Sequence, residues 1–184
     1  MEHKGSKTLK TDRLILRAFT HEDAPAMFRN WANDPEVTKY LTWEPHGSID
    51  VTEKLVRQWT VESVKPDNYQ WAMVLRETGQ PIGSISLMNI SNRNMYCEAG
   101  YCMGKNWWGK GLMTEAMKAV LDFAFEDVGF HKVKARYVAE NVSSGRVMEK
   151  CGMTYEGTQR GEHLGKDGQF HDIKCYSILK EDRK

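Results

Sequence analysis

The sequence predicts a mixed α/β domain: a central mixed β-sheet with helices packed on its faces. Three observations carry this. The elements read along the chain as β-α-α-β-β-β-α-β-α-β-β, which is not the plain alternation that builds a doubly wound parallel sheet. The apolar pattern changes from period 2 to period 3.6 after Gly111, and returns to period 2 after Gly129. A length of 184 residues, 40% of them hydrophobic, suits one domain with a real core. A single domain is therefore expected over the whole chain, with its core at about residues 9–180.

Each element has a local cause. Leu14-Ile-Leu-Arg-Ala-Phe19 reads as the first strand. Thr20 can cap a helix over residues 21–32, with Glu22 and Asp23 in the first turn where the macrodipole favours acid; Asn33-Asp34-Pro35 ends it. Asp50 and Glu53 have capping-box spacing for a second helix reaching about Val64. Lys65-Pro66-Asp67-Asn68 is a turn. Residues 70–76 and 82–90 read as strands joined by Glu77-Thr-Gly-Gln-Pro81, and residues 96–103 as another. Met113, Ala116, Met117, Val120, Leu121 and Ala124 form one apolar stripe on a helix that stops at Gly129. Val133, Ala135 and Tyr137 alternate with Lys132, Lys134 and Arg136, the mark of a half-buried strand. Asn141 or Ser143 opens a short helix with Gly152 as its C′ residue, and two strands follow around residues 155–160 and 172–179. Both polar ends read as frayed.

Composition excludes several classes. A formal net charge of +1 gives no global field for nucleic acid or an anionic membrane, so any anion must be held locally. No apolar run approaches the roughly 20 residues that span a bilayer, and the polar start lacks a secretory h-region. Cys97 and Cys102 stand five apart and face opposite sides of a strand; Cys151 and Cys175 stand alone. No cysteine or histidine spacing suits zinc, so free thiols, no metal and a cytoplasmic setting are expected.

The chemistry concentrates at Gly104-Lys-Asn-Trp-Trp-Gly-Lys-Gly-Leu112, between a strand and a helix. Gly109 and Gly111 let the backbone turn sharply and come close to a ligand. The amides from Trp108 to Leu112 would then meet an anion at a helix N-terminus, with Lys110 adding charge. Three phosphate loops compete. Gly104-x-x-x-x-Gly109-Lys110 approaches the nucleoside-triphosphatase loop, but Gly111 stands where a magnesium-binding hydroxyl is needed. Gly109-x-Gly111-x-x-Thr114 lacks the third glycine of the dinucleotide fingerprint. An acyl-CoA pyrophosphate loop needs these glycines and no such hydroxyl. On the glycines alone, a plain left-handed turn is equally open.

Wider stretches resolve the choice. Glu98-Ala-Gly-Tyr-Cys-Met-Gly-Lys-Asn-Trp-Trp-Gly-Lys-Gly-Leu-Met-Thr-Glu-Ala116 resembles the core of the GCN5-related N-acetyltransferase (GNAT) superfamily, and more narrowly its ribosomal-protein alanine and serine N-acetyltransferase branch. Thr11-Asp-Arg-Leu-Ile-Leu-Arg17 is similar to that branch's opening strand. Asn141-Val-Ser-Ser-Gly-Arg-Val-Met-Glu-Lys-Cys-Gly-Met153 is similar to its second cofactor helix, and Asp172-Ile-Lys-Cys-Tyr-Ser177 to its closing strand. The resemblance implies acetyl-CoA as co-substrate. Tyr101, Cys102 and Met103 would pair their backbone with pantetheine, and Trp108, Gly109, Lys110, Gly111 and Leu112, continuing into Met113 and Thr114, would hold the pyrophosphate. Asn141 would contact pantetheine or fix the loop around it, Ser144 would lie near the thioester sulfur, and Arg146 and Lys150, four apart on one helix, could reach the phosphates. Trp31, Tyr40, Trp43, His46 and Trp59 fall in the region that forms the acceptor wall. The sequence departs from the family at Asn106, where Gln or Arg is usual, and at Met148, where many members carry a tyrosine acid.

Direct acetyl transfer needs a proton acceptor for the amine, donors for the tetrahedral oxyanion and a thiolate that can leave. Glu98 is the base candidate, because it shares a strand face with Gly100 and Cys102, and burial makes a carboxylate a better base. Methionine cannot donate a proton, so Ser144 takes the place of the missing tyrosine. The Met103 amide is the oxyanion donor candidate. A ping-pong route through Cys102 lacks a visible His/Asp partner. His163 and His171 flank the turn between the last strands and border the acceptor side or solvent. The expected acceptor is a protein N-terminal α-amine; a small amine (polyamine, amino acid or antibiotic) and a non-catalytic acyl-CoA-binding module are the alternatives. A strongly acidic acceptor groove would favour a polycation. A homodimer is compatible with the sequence, which does not set the oligomeric state.

Overall fold

Eight strands form one sheet in the order β1-β2-β3-β4-β5-β6-β8-β7 in the computed structural model, which describes residues 1–183. The strands are β1 (Leu9–Lys10), β2 (Leu14–Arg17), β3 (Tyr69–Leu75), β4 (Pro81–Ser91), β5 (Tyr96–Met103), β6 (Lys132–Val138), β7 (Thr154–Leu164) and β8 (Phe170–Leu179). Every neighbouring pair is antiparallel except β5 and β6. Helices cover both faces at the centre of the sheet, so β3 and the first part of β4 bury both sets of alternating side chains. On β3, Tyr69, Trp71 and Met73 join the core beneath α4 (Leu112–Asp122), while Ala72 and Val74 face the cluster beneath α1 (Ala24–Met27) and α3 (Ile49–Glu62). On β5, Cys97 faces the first core and Cys102 packs against the second, so the two thiols do lie on opposite sides.

Helix α4 forms because its stripe is continuous: Met113, Ala116, Met117, Val120 and Leu121 are all buried on it, and Ala124 extends the stripe into a wider π-type turn. Each large side chain so buried contributes roughly 1.5–3 kcal/mol. Gly129, at φ 84°, closes the segment in the left-handed region that glycine tolerates. Helix α5 (Val142–Lys150) follows β6 and packs on α4. A side chain at Gly145 would collide with the Tyr137 ring and hydroxyl.

Three sequence expectations need correction. The segment 21–32 is helical but changes winding: a tight turn at His21–Asp23, α1, then a wide turn over Phe28–Ala32 in which the Asn33 amide reaches back to the Phe28 carbonyl. It ends at Ala32, as Asn33-Asp34-Pro35 predicts, and the Asp34 carboxylate then accepts from the Glu36 amide and starts α2 (Pro35–Thr38). Helix α3 starts after Ser48, so Asp50 lies inside it and the Asp50/Glu53 box does not cap it. The N-terminus is not frayed: Trp71 donates its indole N–H to Lys7, the Tyr69 hydroxyl meets His3, and the Glu2 amide bonds Val128. Buried polar groups of β3 need partners, and the first seven residues supply them.

Candidate active site

The site is built on a fork in the sheet. Strands β5 and β6 pair only at Tyr96–Lys132, Cys97–Val133 and Glu98–Lys134. Beyond these pairs they splay, and β6 continues with β8 alone. The open edge of β5 therefore carries backbone groups that no strand satisfies. The Gly104 amide donates to Ile82 on β4, so strand alternation directs the Met103 amide and carbonyl to the open edge. The Trp108 indole donates to that carbonyl at 2.7 Å, leaving the amide for a ligand.

A groove of about 390 Å³ runs from the fork between α4 and α5. Its walls are Tyr101, Cys102 and Met103 from β5, Trp108, Gly109, Gly111, Met113 and Thr114 from the loop and α4, and Asn141, Ser144, Arg146 and Lys150 from the α5 side. Gly109 and Gly111 have φ of 74° and 75°, and a Cβ on Gly109 would meet open space. Gly111 is the N-cap of α4 and offers no side-chain cap. The first amide bonded within the helix is that of Glu115, to the Gly111 carbonyl, so the amides of Leu112, Met113 and Thr114 come before any helical partner. A glycine-lined groove ending on unpaired helix amides, with Arg146 and Lys150 on its rim, fits a pyrophosphate and the phosphates beyond it. The open edge of β5 fits an amide-bearing chain lying along it.

On the other side of the fork lies a cavity of about 670 Å³. The two spaces share Tyr101, Cys102, Asn141 and Ser144. Trp31, Tyr40, Trp43, His46 and Trp59 wall the cavity from the helical layer, and Glu162 and His163 from β7. Burial pushes the His46 pKa down, which favours its neutral ring at neutral pH; the Thr52 hydroxyl lies 2.7 Å from its Nδ1. Glu98 and Arg136 sit at the crotch, with Arg136 Nε donating to Glu98 at 2.9 Å across the fork. Where the two spaces join, Ser144 Oγ donates to the Tyr101 hydroxyl at 3.0 Å, and that hydroxyl donates to the Ser144 carbonyl at 2.9 Å. Burial pushes the Tyr101 phenol up, so it stays protonated. Two spaces meeting at a narrow polar joint can bring an acyl donor and an acceptor end to end.

The family model of the acetyltransferase (GNAT) domain matches residues 13–154. The chain belongs to the GNAT acetyltransferase family. It is 30% identical over 176 residues to p20 of Bacillus licheniformis, an uncharacterized N-acetyltransferase, covering 96% of this chain and 98% of that one. It is 26% identical over 172 residues to the ribosomal protein uS5-alanine N-acetyltransferase of Escherichia coli, covering 89% and 86%. A GNAT-family acetyltransferase structure from Bacillus anthracis superposes with a TM-score of 0.84 at 25% identity, covering 95% and 99%. This protein is an acetyltransferase enzyme, and acetyltransferases of this fold use acetyl-CoA.

Most residues singled out in the enzyme's sequence come together. Among the residues expected to hold the cofactor, Lys110 and Leu112 are the exceptions: Lys110 is exposed and outside the groove wall, and Leu112 is buried in the core. Glu98 has a side chain only 18% exposed, and Arg136 and Asn89 both donate to it. Cys102 is a half-buried thiol beside Ser84, and desolvation pushes its pKa up, which disfavours a thiolate acyl carrier. Of the two late histidines, His163 lines the cavity and His171 does not. Sequence reasoning missed the Tyr101 side chain and Arg136. Tyr101 was read for its backbone alone, and Arg136 was read only as the polar face of its strand.

Proposed function

We propose that this enzyme transfers an acetyl group from acetyl-CoA to the α-amine of a protein N-terminus, as the uS5-alanine N-acetyltransferase it resembles is named for doing. The observation that carries this is the acceptor cavity. Its wall is mainly aromatic and apolar, and its carboxylates are Glu98 and Glu162, the first of them paired with Arg136. A polyamine would need a field of uncompensated acid, and this cavity lacks one. An aromatic-walled space suits an uncharged first side chain, with one amine directed at the joint.

In the reaction, the neutral amine attacks the thioester carbonyl carbon, the carbon–nitrogen bond forms and the carbon–sulfur bond breaks. The amine's proton passes to Glu98, directly or through water, and the oxyanion accepts from the Met103 amide. The departing thiolate takes a hydrogen bond from the Ser144 hydroxyl, which turns to it from the Tyr101 oxygen, and its proton comes from solvent. No acyl-enzyme is needed.

The test is a thiol-release assay with acetyl-CoA over short peptides with free Ala or Ser N-termini, spermidine, free amino acids and an aminoglycoside. Peptide turnover should exceed that of the small amines, with mass spectrometry placing the acetyl group on the α-nitrogen. Preferred turnover of a small amine would replace this acceptor, and CoA binding without turnover on any amine would count against catalysis at this fork.

A further inference from the structure

The segment before β2 carries an arginine that acetyl transfer itself does not use. We infer that Arg13 is a positioning residue for the pyrophosphate loop: it fixes the peptide plane between Lys110 and Gly111 so that the Gly111 amide is presented to the cofactor. The inference rests on reading the groove as the acetyl-CoA site.

Three elements close into one circuit. Arg13 donates its Nε to Glu115 Oε2 at 2.7 Å and its backbone amide to Glu115 Oε1 at 2.8 Å. Thr11 Oγ1 donates to the same Oε1 at 2.6 Å. Glu115, in the first turn of α4, donates its amide to the Gly111 carbonyl at 3.0 Å. One of the two terminal nitrogens of the guanidinium, Nη1, donates to the Lys110 carbonyl at 2.9 Å. All peptide bonds in the described residues are trans, and a trans peptide puts its C=O and N–H on opposite sides. Turning the Lys110 carbonyl onto Arg13 therefore turns the Gly111 N–H away from it, to the side where Gly109, Gly111 and Thr114 wall the groove.

The loop needs such a hold. Gly109 and Gly111 flank Lys110, both at positive φ, and glycine pairs rotate their peptide planes at little steric cost. The loop's own side chains provide no restraint at the cap of α4. Arginine suits the task because a rigid fork can hold a carboxylate and a carbonyl at once. Glu115 aims the fork from within the very helix whose N-terminus meets the phosphates, so the hold travels with the anion site.

The experiment separates this from mere anchoring of β2 to α4. CoA binding is measured by calorimetry for the parent, Arg13→Ala and Arg13→Lys, together with kinetics on acetyl-CoA and on S-acetylpantetheine, which lacks the pyrophosphate. Arg13→Ala should weaken CoA about tenfold, the scale of one charge-assisted hydrogen bond. It should raise KM for acetyl-CoA with kcat nearly constant, and leave kcat/KM for S-acetylpantetheine unchanged. Arg13→Lys keeps a cation but not the fork, and should move the same way if the alanine variant does not fold. Unaltered CoA affinity, or equal losses with both donors, overturns the inference and leaves the groove reading standing. A parent enzyme that does not bind CoA overturns both.

Discussion

Ser144 and Tyr101 form the smallest unit on which chemistry at the fork depends. The serine hydroxyl donates to the phenol, and the phenol donates to the serine carbonyl, so neither proton is free without a reorientation. A thiolate arriving beside Ser144 offers a stronger acceptor than a neutral phenol oxygen, and the hydroxyl can turn to it. Ser144→Ala is accordingly expected to lower kcat by roughly ten- to a hundredfold while KM for acetyl-CoA changes little, because the lost interaction belongs to the departing sulfur. Glu98→Gln should lower kcat on the same scale, and steady-state thiol release measures both. Normal rates in the two variants would remove these roles and leave the cofactor groove intact. A serine at that position can be read from sequence. The phenol behind it could not, because Tyr101 is 43 residues away and meets Ser144 only after β5 and α5 have packed.

Among elements, the β7–β8 hairpin decides how open the acceptor side is. Lys166, in its turn, donates to the Thr38 and Trp43 carbonyls at 2.9 and 2.6 Å, tying the hairpin to the segment that carries Tyr40 and Trp43. His171, beside the hairpin's turn, sits with Nδ1 3.2 Å from Glu140 and Nε2 3.0 Å from Asp167. Both ring nitrogens can donate only in the imidazolium form. The hydrogen bond to Asp167, then that to Glu140, raises the His171 pKa above its ordinary 6.5. Since the folded-state value is the higher one, this stabilisation is fully present below pH 6.5 and fades as the pH rises through the raised value. Hydrogen exchange of residues 164–170 should therefore accelerate from about pH 6 to about pH 9 beyond its intrinsic rate, and His171→Gln should flatten the excess. Lys166→Ala should speed that exchange roughly tenfold at all these pH values and raise KM for the acceptor without changing KM for acetyl-CoA. Equal protection in Lys166→Ala and the parent would mean that the latch does not hold. The contrast with α4 is instructive. Its stripe was legible because one periodicity served one face, whereas the latch rests on a lysine meeting carbonyls more than 120 residues away, which no local pattern encodes.

For the molecule as a whole, the sequence made the mixed sheet and its two helical layers legible through periodicity, and the order of motifs through resemblance. It did not reveal that residues 1–7 are tied down, because the need arises in Tyr69 and Trp71 and is met only in three dimensions. Nor did it reveal where the sheet opens, since β5 and β6 carry ordinary strand patterns through the point at which their pairing stops after Glu98 and Lys134. That opening sets a property of the entire fold. The left-hand strands, β1 to β5, and the right-hand strands, β6 to β8, share a backbone ladder of only three residue pairs, and below the fork they are joined by packing. A ligand lying along the open edge of β5, capping α4 and touching Asn141 and Ser144 on the α5 side would bridge the halves and bind the folded state alone. Linkage then requires stabilisation by about 2.7 kcal/mol at a CoA concentration a hundred times its Kd. For a chain of this size that corresponds to a rise in Tm of about 5–10 °C. Thermal denaturation with and without CoA measures it, and 3′,5′-ADP at the same concentration, which carries phosphates but no pantetheine arm, should give a smaller rise because it cannot reach the fork and binds more weakly. Equal shifts from the two ligands would mean that the gain comes from the α4 terminus alone, and that the split between β5 and β6 contributes nothing to binding.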